Sequence, residues 1–173
     1  MQRIICSLFC LSLTAPVVAS SLLSNAYNGA GIGNYQAGGA AIADDASTLV
    51  PNPAGLTRLD HTQLLLAYDG IYPNYDFEGD SCGGFACNTQ STHKDGGQSM
   101  WLPSGYIAYP INYLTTIGIG FNSPFAYDIK YGKTTPLRYN FYDFELRATN
   151  INPAIGVRFS PQFSAGVGVV AQY

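Results

Sequence analysis

The residues of this chain whose types could do chemistry are few, and their spacing assembles no reaction. Cys82 and Cys87 stand in DSCGGFACN, where Gly83 and Gly84 let the intervening loop fold tightly, which suits a local disulfide. A metal centre would need a second cysteine pair or clustered histidines, and His61 and His93 stand alone. Asp44 and Asp45 are adjacent, so their side chains point apart instead of forming a catalytic pair; Asp45 reads as a helix cap. Gly29, Gly31 and Gly33 make a G-x-G-x-G run, but no strand precedes it and no acid follows at dinucleotide spacing. A lipid hydrolase would need nucleophile, base and orienting group together; there is no Gly-x-Ser-x-Gly, and neither histidine has a partner motif. The sequence predicts no catalytic residue, no metal and no cofactor.

Composition describes the solvent in which these residues must be positioned. Charged residues are 11 % of the chain, against about 25 % in soluble proteins. Aromatics are 13 %, led by thirteen tyrosines. The net charge of −3 supplies no basic patch, which argues against nucleic acid as a partner. The opening MQRIICSLFCLSLTAPVVAS has Arg3, an apolar run over 4–13 and small residues at Val17-Val18-Ala19-Ser20. It reads as a secretory signal over 1–20, cut after Ala19 or Ser20. As an anchor helix it falls short of the roughly 20 apolar residues a span needs, and Pro16 interrupts it. Cys6 and Cys10 leave with it, so Cys82 and Cys87 meet an oxidising compartment. No later stretch could be a transmembrane helix, so entry into a membrane must be by strands.

Strand signals follow. Residues 63–72 place Leu64, Leu66, Tyr68 and Tyr72 on one face against Gln63, Ala67 and Asp69, with Leu65 and Ile71 blurring the alternation. Residues 74–100 are polar and glycine-rich and read as a long loop. A second strand is expected over 101–109 and, after a turn at Pro110–Tyr113, a third over 114–122, with Thr116, Gly118, Gly120 and Asn122 clearing space on its inward face. Ser123-Pro124 marks a bulge, an edge or a break before extended chain resumes over 125–131, since proline removes a ladder donor. On that reading valine at position 124 should restore strand pairing. A fourth strand spans 141–159, and a fifth, with Gly166 and Gly168 inward, runs from Phe163 to Tyr173. Long connections alternate with short ones, and aromatics gather near strand ends (Tyr68, Tyr72, Trp101, Tyr109, Tyr113, Phe159, Phe163), as in a transmembrane barrel. A secreted sandwich would alternate too, without reason for inward glycines or the long-short rhythm.

One stretch, 38–59, GGAAIADDASTLVPNPAGLTRL, organises the rest. Glycine and alanine give it almost no area to bury, so it needs a host. Asp45 should cap a single helical turn, and Pro51 and Pro53 should end it. It reads as a plug, and its AIADDASTLVPNPAGL resembles the hatch of the outer-membrane long-chain fatty acid transporter family (FadL type). Weaker similarity continues through Trp101-Leu102-Pro103, Tyr109-Pro110-Ile111-Asn112, Ile151-Asn152-Pro153-Ala154 and Ser164-Ala165-Gly166-Val167-Gly168.

The fold expected is all-β: a transmembrane antiparallel barrel with an N-terminal hatch over 21–61 and its first strands over 62–173. Five strands are fewer than the about eight that close the smallest bacterial barrels, so the chain reads as the N-terminal part of a longer protein or as a truncated gene product. The resemblance implies a full barrel of about fourteen strands and passive uptake of long-chain fatty acids or another hydrophobic small molecule by a monomer among outer-membrane lipids. It also implies an inward kink of the third strand that opens a lateral gate, matched here by Asn122, Ser123 and Pro124. Asp45, Asn52, Pro53 and Ala54 are the expected hatch residues. Ser21, Leu22, Leu23, Phe125 and Tyr127 are the expected ligand contacts. A surface adhesin acting through the outer loops is the competing function, with the lipid hydrolase behind it.

Overall fold

The computed structural model describes residues 31, 33, 36–83, 86–132 and 143–173. The leader over 1–20, and Ser21, Leu22 and Leu23, lie outside the described residues. Five long strands form one antiparallel meander: β1 (Gln63–Ile71), β4 (Met100–Pro110), β5 (Thr115–Lys130), β6 (Asp143–Ser160) and β7 (Phe163–Gly168). A short β8 (Ala171–Gln172) continues β7 in the same register on β6, since Ala154↔Gly168 and Ile151↔Ala171 keep step. The expected fifth strand is therefore present to Gln172. β4 has 11 residues, enough for the roughly 9–11 a tilted strand needs to cross a bilayer.

Residues 74–100 are not a loop. Most of the stretch is a hairpin, β2 (Asp76–Gly83) with β3 (Ala86–Asp95), and Met100 already belongs to β4. The hairpin forms its own two-stranded sheet, so neither face needs a run of apolar residues and the sequence shows no period. Cys82 and Cys87 are Cα partners in it. It is fastened to the top of β5, where the Tyr131 hydroxyl donates to the Tyr75 carbonyl at 3.1 Å and Phe77 meets the Tyr131 ring edge-on.

The large sheet inverts the soluble pattern. Leu64 (68 %) and Leu66 (69 %) are exposed, as are Ile107, Ile117, Ile119, Ile151 and Val167. On β4, β5 and β6 the opposite face carries Ser104, Tyr106, Ala108, Thr116, Asn122, Asn152 and Ala154, all buried. An apolar face this continuous is stable against lipid, not water. Trp101 stacks on Tyr68 at 5.2 Å and lies over Gly70, while Phe159 and Phe163 meet at 5.8 Å beside the short turn. The two aromatic sets thus sit at opposite ends of the strands, where interfacial rings are anchored.

The covered face holds the segment before β1. It comprises a short α1 (Gly39–Ile42) and two 3-10 turns, η1 (Ala46–Leu49) and η2 (Pro53–Arg58). Asp45 caps η1, accepting from Ser47 N at 2.8 Å and from its hydroxyl at 2.5 Å. The turn ends at Leu49, ahead of both prolines, and Pro53 also opens a second turn, η2, at a first-turn position where its missing N–H costs nothing. Leu49 and Leu56 are fully buried among Tyr106, Ala108 and Ala154, each contributing roughly 1.5–3 kcal/mol of apolar burial. Leu65 packs on this cluster and Ile71 on a second one, which explains why both broke the β1 alternation.

Glycine makes this seat possible. A Cβ on Gly156 would lie 2.7 Å from the Pro53 carbonyl, and one on Gly166 would overlap the backbone of Pro53 and Ala54. Backbone can meet backbone only where the strand has no side chain.

Candidate functional site

β5 and β6 stay in register from Thr115↔Val157 to Asn122↔Asn150, then resume at Phe125↔Ala148. Ser123 and Pro124 therefore oppose the single Thr149, which is a β-bulge. The expected interruption is this bulge within one strand, not a break. The extra residue exchanges the faces of everything beyond it. Below the bulge the even-numbered residues, Gly118 and Gly120, face Leu49 of the inner segment. Above it, Phe125 and Tyr127 pair with Ala148 and Leu146, which share the inward parity of Asn152 and Ala154. Both aromatics are thus aimed to the inside, and both are half-buried.

The same point is where β5 leaves β4. Their ladder runs from Pro110↔Thr116 to Gly105↔Phe121 and stops. β4 continues to Met100 against β1 alone. The top of β5 bonds to the segment before β4 at the Gly97↔Ile129 bridge, with Gln98 N donating to Asp128 O at 3.1 Å and Lys130 N to Gly96 O at 2.8 Å. Between these ends the inward residues Met100 and Leu102 of β4, with Ile71 of β1, pack on Ala126. Ala126 lies on the outward face of β5 after the bulge. The upper half of β5 has therefore passed inside β4, and the two strands overlap where they would otherwise pair.

Side chains hold both lips of this fork. Asn152 Nδ2 donates to Asn122 Oδ1 at 2.8 Å, tying β6 to β5 immediately before the bulge, and both residues are buried. On the lipid side below the fork, Leu64, Leu66, Ile107, Ile119, Phe121 and Ile151 line an apolar groove of about 330 Å³. Phe121 and Leu66 lean over Gly105, the last residue of the β4–β5 ladder.

Polar links tether the inner segment at the opposite, short-turn end. Asn52 makes no capping bond of its own; its Nδ2 donates to Ala40 O at 2.7 Å, while its carbonyl accepts from Gly55 N at 2.9 Å. Arg58 donates to Ala41 O at 2.7 Å, and Arg158 of β6 donates to Thr57 O. His61 contacts Asp60 at 2.5 Å in solvent, which holds the Asp60 carboxyl below its ordinary range through the side-chain hydrogen bond.

Of the residues singled out from sequence, Asp45, Asn52, Pro53 and Ala54 gather in the inner segment. Asn122, Ser123, Pro124, Phe125 and Tyr127 gather at the fork. Sequence reading missed Arg158, Met100, Leu102 and Asn152. Arg158 carried a visible signal, being the one charged residue from 148 to 173. Met100 and Leu102 carried none, because apolar residues at inward positions read as packing.

A family model described as outer membrane protein transport protein (OMPP1/FadL/TodX) matches residues 10–173. An outer membrane protein of Neisseria meningitidis serogroup B is 37 % identical over 103 residues, covering 58 % of this chain and 22 % of its own length. The long-chain fatty acid transport protein of Escherichia coli O6:H1 is 28 % identical over 155 residues, covering 86 % and 33 %. Outer membrane protein P1 of Haemophilus influenzae is 28 % identical over 154 residues, covering 83 % and 34 %. The chain thus spans about a third or less of the curated relatives it matches. The crystal structure of a Pseudomonas aeruginosa FadL homologue superposes with a TM-score of 0.67 at 23 % identity, over 88 % of this chain and 38 % of that one. That likeness gives the fold: an all-β outer-membrane barrel.

Proposed function

The chain belongs to the outer membrane transport protein family OMPP1/FadL/TodX, and from that premise we propose that it supplies the hatch and first five strands of a passive channel for hydrophobic molecules, long-chain fatty acids foremost. The hatch spans 21–61 and the barrel strands begin after it. The barrel works as a monomer in outer-membrane lipid, and it is not an enzyme.

The observation that carries the reading is the fork: β5 separates from β4 just above the point where glycines seat the inner segment. An apolar solute crosses a water-filled lumen poorly, because its surface stays hydrated throughout. A plugged barrel avoids that by binding the solute. Ser21, Leu22 and Leu23, with Phe125 and Tyr127, form the contact surface. Asp45, Asn52, Pro53 and Ala54 keep the hatch folded as a unit, and Arg158 holds it to the wall. When the hatch shifts, the solute moves toward Asn122, Ser123 and Pro124, passes between β4 and β5 and enters the apolar groove facing lipid. No energy source is required. A bridge between Cys82 and Cys87 fixes the outer hairpin and takes no part in passage.

Labelled oleate uptake tests this in cells lacking the gene and in cells carrying its full reading frame. Restored uptake is the expected result. Uptake that does not depend on the gene, with surface binding that does, would overturn it in favour of an adhesin.

A further inference from the structure

The inward face carries a belt of buried side-chain oxygens without a hydrogen-bond partner. Among the described residues, Asp69 Oδ2, Ser104 Oγ, Asn150 Oδ1 and Asn152 Oδ1 are buried without a hydrogen-bond partner. Asp69, Ser104 and Asn152 are each more than nine-tenths buried. Buried polar groups are nearly always satisfied, so orphans clustered together point to something that completes them.

Register places the four on a diagonal across β1, β4 and β6, from the level of Leu102 to that of Tyr106. Ala67↔Ser104 and Asp69↔Leu102 make the first two diagonal neighbours on β1 and β4. Ser104 is one step beyond the last β4–β5 pair, Gly105↔Phe121, and Asn122 is one step beyond it on β5. Asn122 is paired to Asn150, and Asn152 to Gly120. All four side chains share the face that carries the inner segment, with Asn152 level with Tyr106 and the other three above it. The belt therefore lies inside the barrel wall at the foot of the fork.

Its chemistry is one-sided. Three of the four oxygens are neutral and the fourth belongs to a carboxylate, so an anionic head group would meet a like charge at Asp69 and no cation, whereas a neutral hydroxyl can give its proton to any of the four and accept from Ser104. The cations with described side chains are engaged elsewhere: Arg58 with Ala41 O, Lys130 with Asp128, Arg147 with Glu145 and Arg158 with Thr57 O. We propose that this belt recognises the donor-bearing, uncharged head of an apolar solute, a protonated carboxyl or a hydroxyl, as it reaches the fork. The inference rests on the transport reading and deepens it: the solute passes the wall in neutral form, its O–H given to the belt and its chain lying toward Phe125 and the groove. A site built to accept a hydrogen bond rejects an analogue that cannot give one more strongly than it rejects a change of apolar bulk.

The experiment is competition for labelled palmitic acid on the full-length protein in detergent, using hexadecanol, methyl palmitate and hexadecanesulfonate. Hexadecanol should compete best, with the ester and the permanent anion weaker by about tenfold or more. In Ser104→Ala and in Asn152→Ala, each checked for folding by heat-modifiable gel mobility, that preference should shrink while the ester binds as before. Equal competition by alcohol and ester, or strongest competition by the sulfonate, overturns the belt while leaving the channel standing. An unchanged preference in both folded variants overturns it too. If no probe binds and none is taken up, the transport reading falls and this inference with it.

Discussion

The two halves of β5 are one strand in two environments. From Thr115 to Phe121 it is an ordinary wall strand, paired on both sides, with Ile117, Ile119 and Phe121 toward lipid and glycines toward the hatch. From Asn122 to Lys130 it keeps β6 but loses β4, exchanges its faces and packs its outward side under Met100 and Leu102. The upper half is more polar, with Asp128 and Lys130, but it still offers Phe125, Tyr127 and Ile129 on one face, so polarity alone does not account for the exchange. One extra residue does. A sheet stores such a change at almost no local cost because its side-chain period is two, so an insertion of one redirects the whole remaining strand.

Deleting Ser123 should break this contrast most completely. The upper half would regain the faces of the lower, turning Phe125 and Tyr127 outward and allowing β4 and β5 to pair along their length. Oleate uptake should fall on the order of tenfold, equivalent to about 1.4 kcal/mol. A pair of cysteines introduced at Leu102 and Ala126, adjacent across the overlap, should lose its ability to cross-link. Retained cross-linking with retained uptake would mean that the overlap does not depend on register.

The lower half is tested by filling its glycine seat. A Cβ on Gly118 would lie 3.2 Å from Leu49 and 3.4 Å from Leu56. Gly118→Val should therefore destabilise the seated hatch by about 1–3 kcal/mol through overpacking. The checks are protease cleavage within 38–59 and increased entry of small hydrophilic antibiotics. The upper half should be unaffected, so cross-linking at Leu102 and Ala126 should persist. Loss of that cross-link would show the two halves to be coupled.

Most of the lower half was legible in the sequence and most of the upper half was not. Period-two alternation, inward glycines and aromatic strand ends are local signals, and they located five strands and the covered face. The Asp45 cap was also local, fixed by a side chain and a backbone two residues on. The fork was not local. Pro124 announced an irregularity, but whether Ser123 and Pro124 face one residue or two depends on β6, which follows only after the next connection. The β2–β3 hairpin was missed for a related reason, since its residues, polar and glycine-rich, carry no hydrophobic period and its sheet is separate from the large one. Asn52 was read as a hatch residue from its motif, and its bond to Ala40 could not have been inferred from spacing.

A smaller effect is expected where the halves join. Asn152→Ala removes the donor to Asn122 Oδ1 and leaves that oxygen buried, at a cost of about 1–2 kcal/mol. Thermal unfolding in detergent should register it. The double variant with Asn122→Ala should recover part of the loss, because no orphan then remains. A double variant worse than the single would assign Asn122 another partner.

The smallest effect belongs to Pro124→Val, although proline is what first drew notice to this place. If the missing N–H were what parts β5 from β4, valine would restore the ladder and act like the Ser123 deletion. The register argues otherwise. Two residues still oppose Thr149 after the substitution, so the faces above remain exchanged and Ala126 stays beneath Leu102. What valine changes is the unfolded chain, which gains backbone freedom, lowering stability by about 0.4–1 kcal/mol. Uptake should stay near that of the unaltered protein, with a modest drop in unfolding temperature. If Pro124→Val instead abolished uptake as fully as the deletion, the fork would be held open by a lost hydrogen bond, and counting residues across the bulge would be the wrong account of why one strand has two halves.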